Sequence, residues 1–234
     1  MGTLQLVRHG QASAHEENYD KLSSLGELQA RLLGESWKRR GLAVDRVVCG
    51  PLVRQRRTAE IAAAAAGLPV PVVVDALEEM RIEPLFKAHL PALFARHAHL
   101  QTLGDASLAA DGVAERSRKV AQLFEQVLLL WGRGKAAGDG VEPWVEFRAR
   151  VRRVLRSLCE EARGQRLLAF TSAGVVAAAV QLALDTPDVA AISLAFQVRN
   201  SSVSQFLFSS AERFSLVSFN EVPHLEDASH ITLR

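Results

Sequence analysis

Two short segments of this sequence carry residues whose types and spacing can do chemistry on an anion. The first is residues 6–13, LVRHGQAS, where Arg8, His9 and Gly10 follow directly on an apolar run. An arginine presents a planar fork that matches phosphate geometry. A histidine with one unprotonated ring nitrogen can attack phosphorus. A glycine lets the backbone approach a ligand closely. Taken alone, the triplet also fits a surface histidine after an edge strand. The second segment is residues 50–62, GPLVRQRRTAEIA, again after an apolar run. There Arg54 falls in the first turn of an expected helix, beside backbone N–H groups with no helical partner, and that combination makes an anion site. Arg56 and Arg57 fall on other faces and read as solvated.

The elements around these segments are expected to bring them to one place. Residues 3–7 and 44–49 read as strands, and residues 23–40 and 52–66 as the helices that follow them, with Leu25, Leu28 and Leu32 on one face of the first. Residues 70–74 read as a third short strand. Both candidate segments then leave the carboxyl ends of strands, where open α/β sheets bind ligands. Further along, residues 84–141 look helical and suggest an insertion or cap. They end in a glycine-rich stretch, 132–140, that lacks the strand and helix a phosphate loop needs and reads as a connection. Residues 143–163 form an amphipathic helix with Phe147, Val151, Val154 and Leu158 inward and an outer stripe of Arg148, Arg152 and Arg156. That stripe reads as a solvated face, with an acidic partner as the sharper alternative. A buried strand, 166–171, runs into the small-residue helix that begins SAGVV, and residues 202–208 and 214–219 alternate as a late hairpin. The order predicts a three-layer α/β/α sandwich with a mixed, mostly parallel sheet in a single domain.

Bulk properties bound the function. The chain has 234 residues, 48% of them hydrophobic, enough for one sizeable core. With 28 basic and 26 acidic residues the net charge is only +2, and aromatics are 6%, so nucleic acid is not an expected partner. No apolar run is long enough to span a membrane, and residues 2–7 are too short for a leader's apolar region, so no membrane partner or secretory leader is expected. Cys49 and Cys159 sit far apart in apolar surroundings. They read as buried free thiols, which points to a cytoplasmic setting.

Three segments together resemble the histidine phosphatase superfamily, the phosphoglycerate mutase-like proteins. The family pattern is a strand ending in Arg-His-Gly-Glu/Gln, a helix start LS-x-x-G-x-x-QA, and SPLxRxxxTA. Here these read VRHGQAS, LSSLGELQA (22–30) and GPLVRQRRTA, in the same order and spacing. The resemblance covers the first 80 residues well and the last 70 loosely. It implies that His9 is a nucleophile that becomes phosphorylated, with Arg8 and Arg54 as phosphate clamps and Gln11 beside the pocket. It makes Glu79, in ALEEM, the general acid, with Glu78 and Glu83 as competing carboxylates. It implies no metal and no cofactor. His224 and His230 read as loop residues.

The sequence departs from the family at one place. A second catalytic histidine usually follows a late strand in a Ser-His-Gly-Gly turn; here the turn is TSAGVV (171–176), which puts Ser172 at the histidine position. A charge-assisted hydrogen bond is worth about 1.5–3 kcal/mol, so its loss from a transition state would slow turnover by roughly ten- to a hundredfold. The expected function is therefore phosphate monoester hydrolysis, on a small or protein-bound substrate, with turnover expected to be lowered by that loss. The alternatives are a phosphate-binding regulatory module and a mutase-type phosphoryl transferase. A homodimer is left open.

Overall fold

A computed structural model describes residues 1–13, 20–209 and 213–233. The first strand, β1 (Gly2–Arg8), alternates little because both of its faces are covered: Leu4, Leu6 and Val7 are fully buried. It lies in the middle of a six-stranded sheet of order β3-β2-β4-β1-β5-β6, with β2 (Arg46–Cys49), β3 (Val72–Val73), β4 (Arg166–Thr171), β5 (Val203–Phe208) and β6 (Phe214–Glu221). β1, β2, β3 and β4 are parallel, while β5 runs antiparallel to both β1 and β6.

Residues next to each other on the strands point to opposite faces, and two apolar clusters follow from that. On one face Val7, Val47, Cys49, Leu168 and Phe170 meet helices α1 (Ser24–Arg39) and α2 (Val53–Ala66) through Leu33, Trp37, Ala59 and Ala62. On the other, Leu4, Leu6, Val48, Leu167 and Ala169 meet α7 (Trp144–Glu161) and α8 (Ala173–Leu184) through Phe147, Val151, Val175 and Val176. The sheet is thus sandwiched between helical layers. Four helices fill the stretch between β3 and α7: α3 (Glu83–Lys87), α4 (Leu90–Arg96), α5 (Ala98–Leu108) and α6 (Val113–Gly132). A short α9 (Asp188–Ala195) packs on α8. Among the described residues no helix is long and apolar enough to cross a membrane.

Local chemistry sets the boundaries. Ser23 caps α1 by accepting from Gly26 N at 3.0 Å, and Gly67, at φ 70°, closes α2 in the left-handed region. Cys49 and Cys159 are free and buried; burial, chiefly, raises their thiols to about 11 and about 12. Along α7, Arg148 and Arg152 are exposed and Arg156 half-buried, and Arg148 reaches Asp188 at 2.7 Å.

For function, the register matters most. Arg8 lies opposite Thr171, and Cys49 opposite Phe170. The three parallel strands β1, β2 and β4 therefore end in one row, and His9, Gly50 and Ser172 leave the sheet side by side.

Candidate active site

His9 sits on the turn that leaves β1 and is only 5% exposed. Its backbone is held from two sides. Its N–H donates to Thr171 O at 2.9 Å, and its carbonyl accepts from Ser201 N and Asn200 Nδ2, each at 3.2 Å. The ring is equally constrained. Nδ1 lies 2.7 Å from Gly10 O, and a carbonyl oxygen can only accept, so Nδ1 carries the proton. Nε2 accepts from Arg54 Nε at 3.2 Å and is therefore unprotonated. Burial, then the Arg54 and Arg8 charges, hold the His9 imidazole well below its ordinary pKa of 6.5. The ring is a neutral base whose lone pair lies against a guanidinium.

Glycines explain how the turn fits. A Cβ on Gly10 would meet Gly26 O at 2.4 Å, and one on Gly26 would meet Gln11 O at 2.1 Å. The start of α1 and the histidine turn are pressed backbone to backbone. The LSSLGELQA motif is the other half of that contact. Ser23 caps the helix and donates Oγ to Gln11 Oε1 at 2.9 Å, and Gln29 Oε1 accepts from Gln11 N at 2.8 Å. Gln29 Nε2 then donates to His230 O at 2.7 Å and to Thr232 Oγ1 at 3.0 Å, and Thr232 Oγ1 donates to Asn200 Oδ1 at 2.9 Å. A chain of hydrogen bonds thus runs behind the His9 turn, from Gln11 through the C-terminal segment to Asn200 and His9 O.

The second motif supplies the facing wall. Thr58 Oγ1 accepts from Gly10 N at 3.0 Å and donates to Arg54 O at 2.7 Å, tying α2 to the histidine turn. Arg54 stands in the first turn of α2. Its Nη1 donates to Asp20 Oδ1 at 2.8 Å, and Asp20 Oδ2 accepts from Val53 N at 2.8 Å, so one carboxylate caps the helix and aims the guanidinium. Arg56 and Arg57 are exposed, and Arg57 pairs with Glu27.

The remaining candidate residues are placed as follows. Arg8 Nη1 donates to Val198 O and, at 2.8 Å, to Leu233 O, backbone carbonyls on the side of the C-terminal segment, while its charge acts on the His9 ring. Ser172 is fully buried, and its Oγ accepts from Gln55 Nε2 at 2.7 Å. Glu79 lies at the N-terminus of α8: Oε2 accepts from Gly174 N at 3.2 Å, and Oε1 from Met80 N at 3.0 Å. A Cβ on Gly174 would meet Glu79 Oε1 at 2.3 Å, so the glycine makes room for that carboxylate. Glu83, by contrast, is exposed and pairs with Lys87. Glu78 offers its backbone carbonyl to Arg150 at 2.9 Å. His224 is buried beside Ser201, 2.9 Å from its Oγ; burial, then the Arg40 charge, lower its imidazole to about 4. His230 meets Gln29 through its backbone oxygen.

Sequence reasoning missed Asp20, Gln55, Thr58, Asn200 and the pair Glu142–Arg150. For Arg150 a signal was present. It falls three residues after Phe147 and four before Val154, on the apolar face of α7, where an unpaired charge is costly. Asp20 had a weaker signal, an acid just ahead of the helix-capping Leu22-Ser23. Nothing in the spacing announced Asn200, which acts through loops that only the fold brings together. Among the described residues no cluster of His, Cys, Asp or Glu could hold a metal ion.

These features define an α/β protein with a buried neutral histidine beside an arginine at the carboxyl edge of a mainly parallel sheet. The chain belongs to the histidine phosphatase superfamily (branch 1), whose sequence profile matches residues 4–99 and 111–222. No curated protein sequence matches it. Solved structures share its fold. A phosphoserine phosphatase mutant from Entamoeba histolytica, in complex with phosphoserine, is 16% identical with a TM-score of 0.65, over 96% of this chain and 100% of that one. A mycobacterial glucosyl-3-phosphoglycerate phosphatase is 20% identical with a TM-score of 0.61, over 93% and 98%. A phosphoglycerate mutase from Bacillus anthracis is 16% identical with a TM-score of 0.63, over 95% and 94%.

Proposed function

We propose that this protein hydrolyses phosphate monoesters through a phosphohistidine on His9. The observation that carries the reading is the state of the His9 ring: Nδ1 is held protonated by Gly10 O, and the Nε2 lone pair faces the Arg54 guanidinium. A phosphoryl group drawn to Arg54 arrives beside that lone pair. His9 Nε2 attacks phosphorus, and the bond to the leaving oxygen breaks. Glu79, in its carboxylic form, gives its proton to that oxygen. In the second step water attacks phosphorus, the Glu79 carboxylate takes a proton of the attacking water, and the P–N bond breaks to release inorganic phosphate, which restores both groups. Arg8 and Arg54 offset the charge on the equatorial oxygens. Gln11, through its side-chain amide, and Ser172, through its hydroxyl hydrogen, supply neutral donors. The Ser172 oxygen already accepts from Gln55, which orients the hydroxyl.

Support comes from the family, in which phosphatases and mutase-like proteins share this fold, and from the position of Glu79 against Gly174 N, which places an acid on the same sheet edge as His9. A second reading rests on Ser172. With a neutral hydroxyl where the family pattern has a histidine, the protein would bind phosphate as a regulatory module with little turnover. Both readings are tested by assaying purified protein against a panel of phosphomonoesters beside His9→Ala. Phosphate release that disappears in the variant supports hydrolysis. Phosphate binding without release, equal in both proteins, supports the module.

A further inference from the structure

Residues 76–82 connect β3 to the helices of residues 83–132 and carry Glu79, yet apart from the turn Asp75–Leu77 they belong to no helix or strand. A loop of this kind does not by itself fix a side chain to the tolerance that proton transfer requires. Here the fixing comes from α7. Arg150 Nη1 donates to Ala76 O and to Glu78 O, both at 2.9 Å, and Nη2 approaches Glu79 O at 3.4 Å. One guanidinium thus gathers two carbonyls just ahead of Glu79, those of Ala76 and Glu78, and Glu79's own.

The guanidinium is itself immobilised. Glu142 takes it in a two-point grip, Nε to Oε1 and Nη2 to Oε2, both 2.8 Å, and the two side chains are only 14% and 7% exposed. The Phe147 ring lies 5.0 Å beneath the Arg150 carbon. Glu142 is fixed in turn by three hydrogen bonds, with Arg81 and with Trp131 on α6. Its N–H donates to Arg81 O at 2.9 Å, its carbonyl accepts from Trp131 Nε1 at 2.8 Å, and Oε2 accepts from Arg81 N at 3.3 Å. The pair therefore joins α6, the end of the glycine-rich stretch, α7 and the Glu79 segment. A buried ion pair is weak evidence for stability, because desolvation offsets most of its attraction. Its geometry here serves position: all five donated bonds go to Glu142 or to carbonyls of residues 76–79.

We infer that Arg150, locked by Glu142, is a positioning residue that holds Glu79 where it protonates the leaving oxygen. The inference rests on the proposed role of Glu79 as general acid. Lysine cannot replace it, because an ammonium lacks the planar fork that reaches three carbonyls and a carboxylate at once.

The test uses the leaving group. An alkyl phosphate such as glycerol phosphate needs a proton on its departing oxygen, whereas 2,4-dinitrophenyl phosphate releases a stable phenolate without one. The full-length protein, Glu79→Gln, Arg150→Met, Arg150→Lys and Glu142→Gln are compared by kcat/KM, which reports steps only up to phosphoryl transfer. Glu79→Gln is expected to lose about 100-fold on the alkyl ester and far less on the dinitrophenyl ester, the scale of a general acid. Each Arg150 variant and Glu142→Gln should show the same split, at roughly tenfold or more on the alkyl ester. Adding Arg150→Lys to Glu79→Gln should cost little further. A loss equal on both esters, or none, overturns the inference while leaving the hydrolytic reading intact. If Glu79→Gln itself shows no split, the acid assignment falls and the inference with it. Glu142→Gln, which keeps size and shape, reads the result should Arg150→Met fail to fold.

Discussion

Thr58 offers the sharpest separation of a hydrogen bond from packing in this site. Its hydroxyl is fully buried, accepts from Gly10 N at 3.0 Å and donates to Arg54 O at 2.7 Å. Thr58→Val keeps the shape and, within a helix, nearly the same propensity. It leaves Arg54 O with its helical partner but orphans the Gly10 N–H in a buried turn. An unsatisfied buried donor costs about 1–3 kcal/mol, more than the net worth of the bond itself. In a protein of this size that lowers the melting temperature by about 2–4 °C for each kcal/mol. Because Gly10 follows His9 directly, the turn should relax toward water and kcat should fall as well. Thr58→Ser, which keeps the hydroxyl and loses a methyl group, should cost about 1 kcal/mol and leave kcat near wild type. Urea unfolding at constant m, with kinetics in parallel, reads both effects. A valine variant within about 0.5 kcal/mol of wild type, or a serine variant as damaged as valine, would refute the argument.

Two further outcomes follow from the same geometry. Burial and the Arg54 and Arg8 charges depress the His9 pKa, so His9 should remain neutral well below pH 6.5 in an NMR titration of the folded protein, and titration near 6.5 would contradict the site as described. The sign for stability is the same: the unfolded chain takes up a proton below about pH 6.5 and the native ring does not, so this contribution is present above that pH and lost as pH falls. Ser172→Ala should weaken inhibition by inorganic phosphate by about 1 kcal/mol, near fivefold in the inhibition constant. An unchanged constant would limit Ser172 to its bond with Gln55.

Much of this architecture is legible in the sequence because its signals are local. The apolar run before Arg8, the cap at Ser23, the glycine that ends α2 and the unbroken apolar strand 166–171 each report on neighbours a few residues away. The row of strand ends that sets His9 beside Arg54 follows from the same local order, since parallel strands place their carboxyl ends together. What the sequence hides is the set of contacts that cross it. Asn200 reaches His9 O over 191 positions, and Arg150 reaches Glu79 O over 71. Neither distance leaves a periodicity to read. The apolar-face position of Arg150 was visible as an anomaly, but only the fold gives it Glu142 as a partner. Gly10 and Gly26 resemble ordinary flexible glycines until their backbones are seen to touch. Residues 84–141 show helical spacing without showing where one helix gives way to the next, because His89 and His97 begin helices there with no side-chain cap to mark them.

The central claim is that His9 Nε2 carries the phosphoryl group during turnover. Trapping the intermediate tests it directly: the protein is mixed with a phosphomonoester that it hydrolyses, quenched in base within milliseconds, and mapped by mass spectrometry. The account predicts an acid-labile, base-stable phosphate on His9, absent from His9→Ala and accumulating in Glu79→Gln when a good leaving group is used, since the second step lacks its base. Steady hydrolysis with no phosphate on His9 at any quench time, or undiminished hydrolysis by His9→Ala, would contradict it.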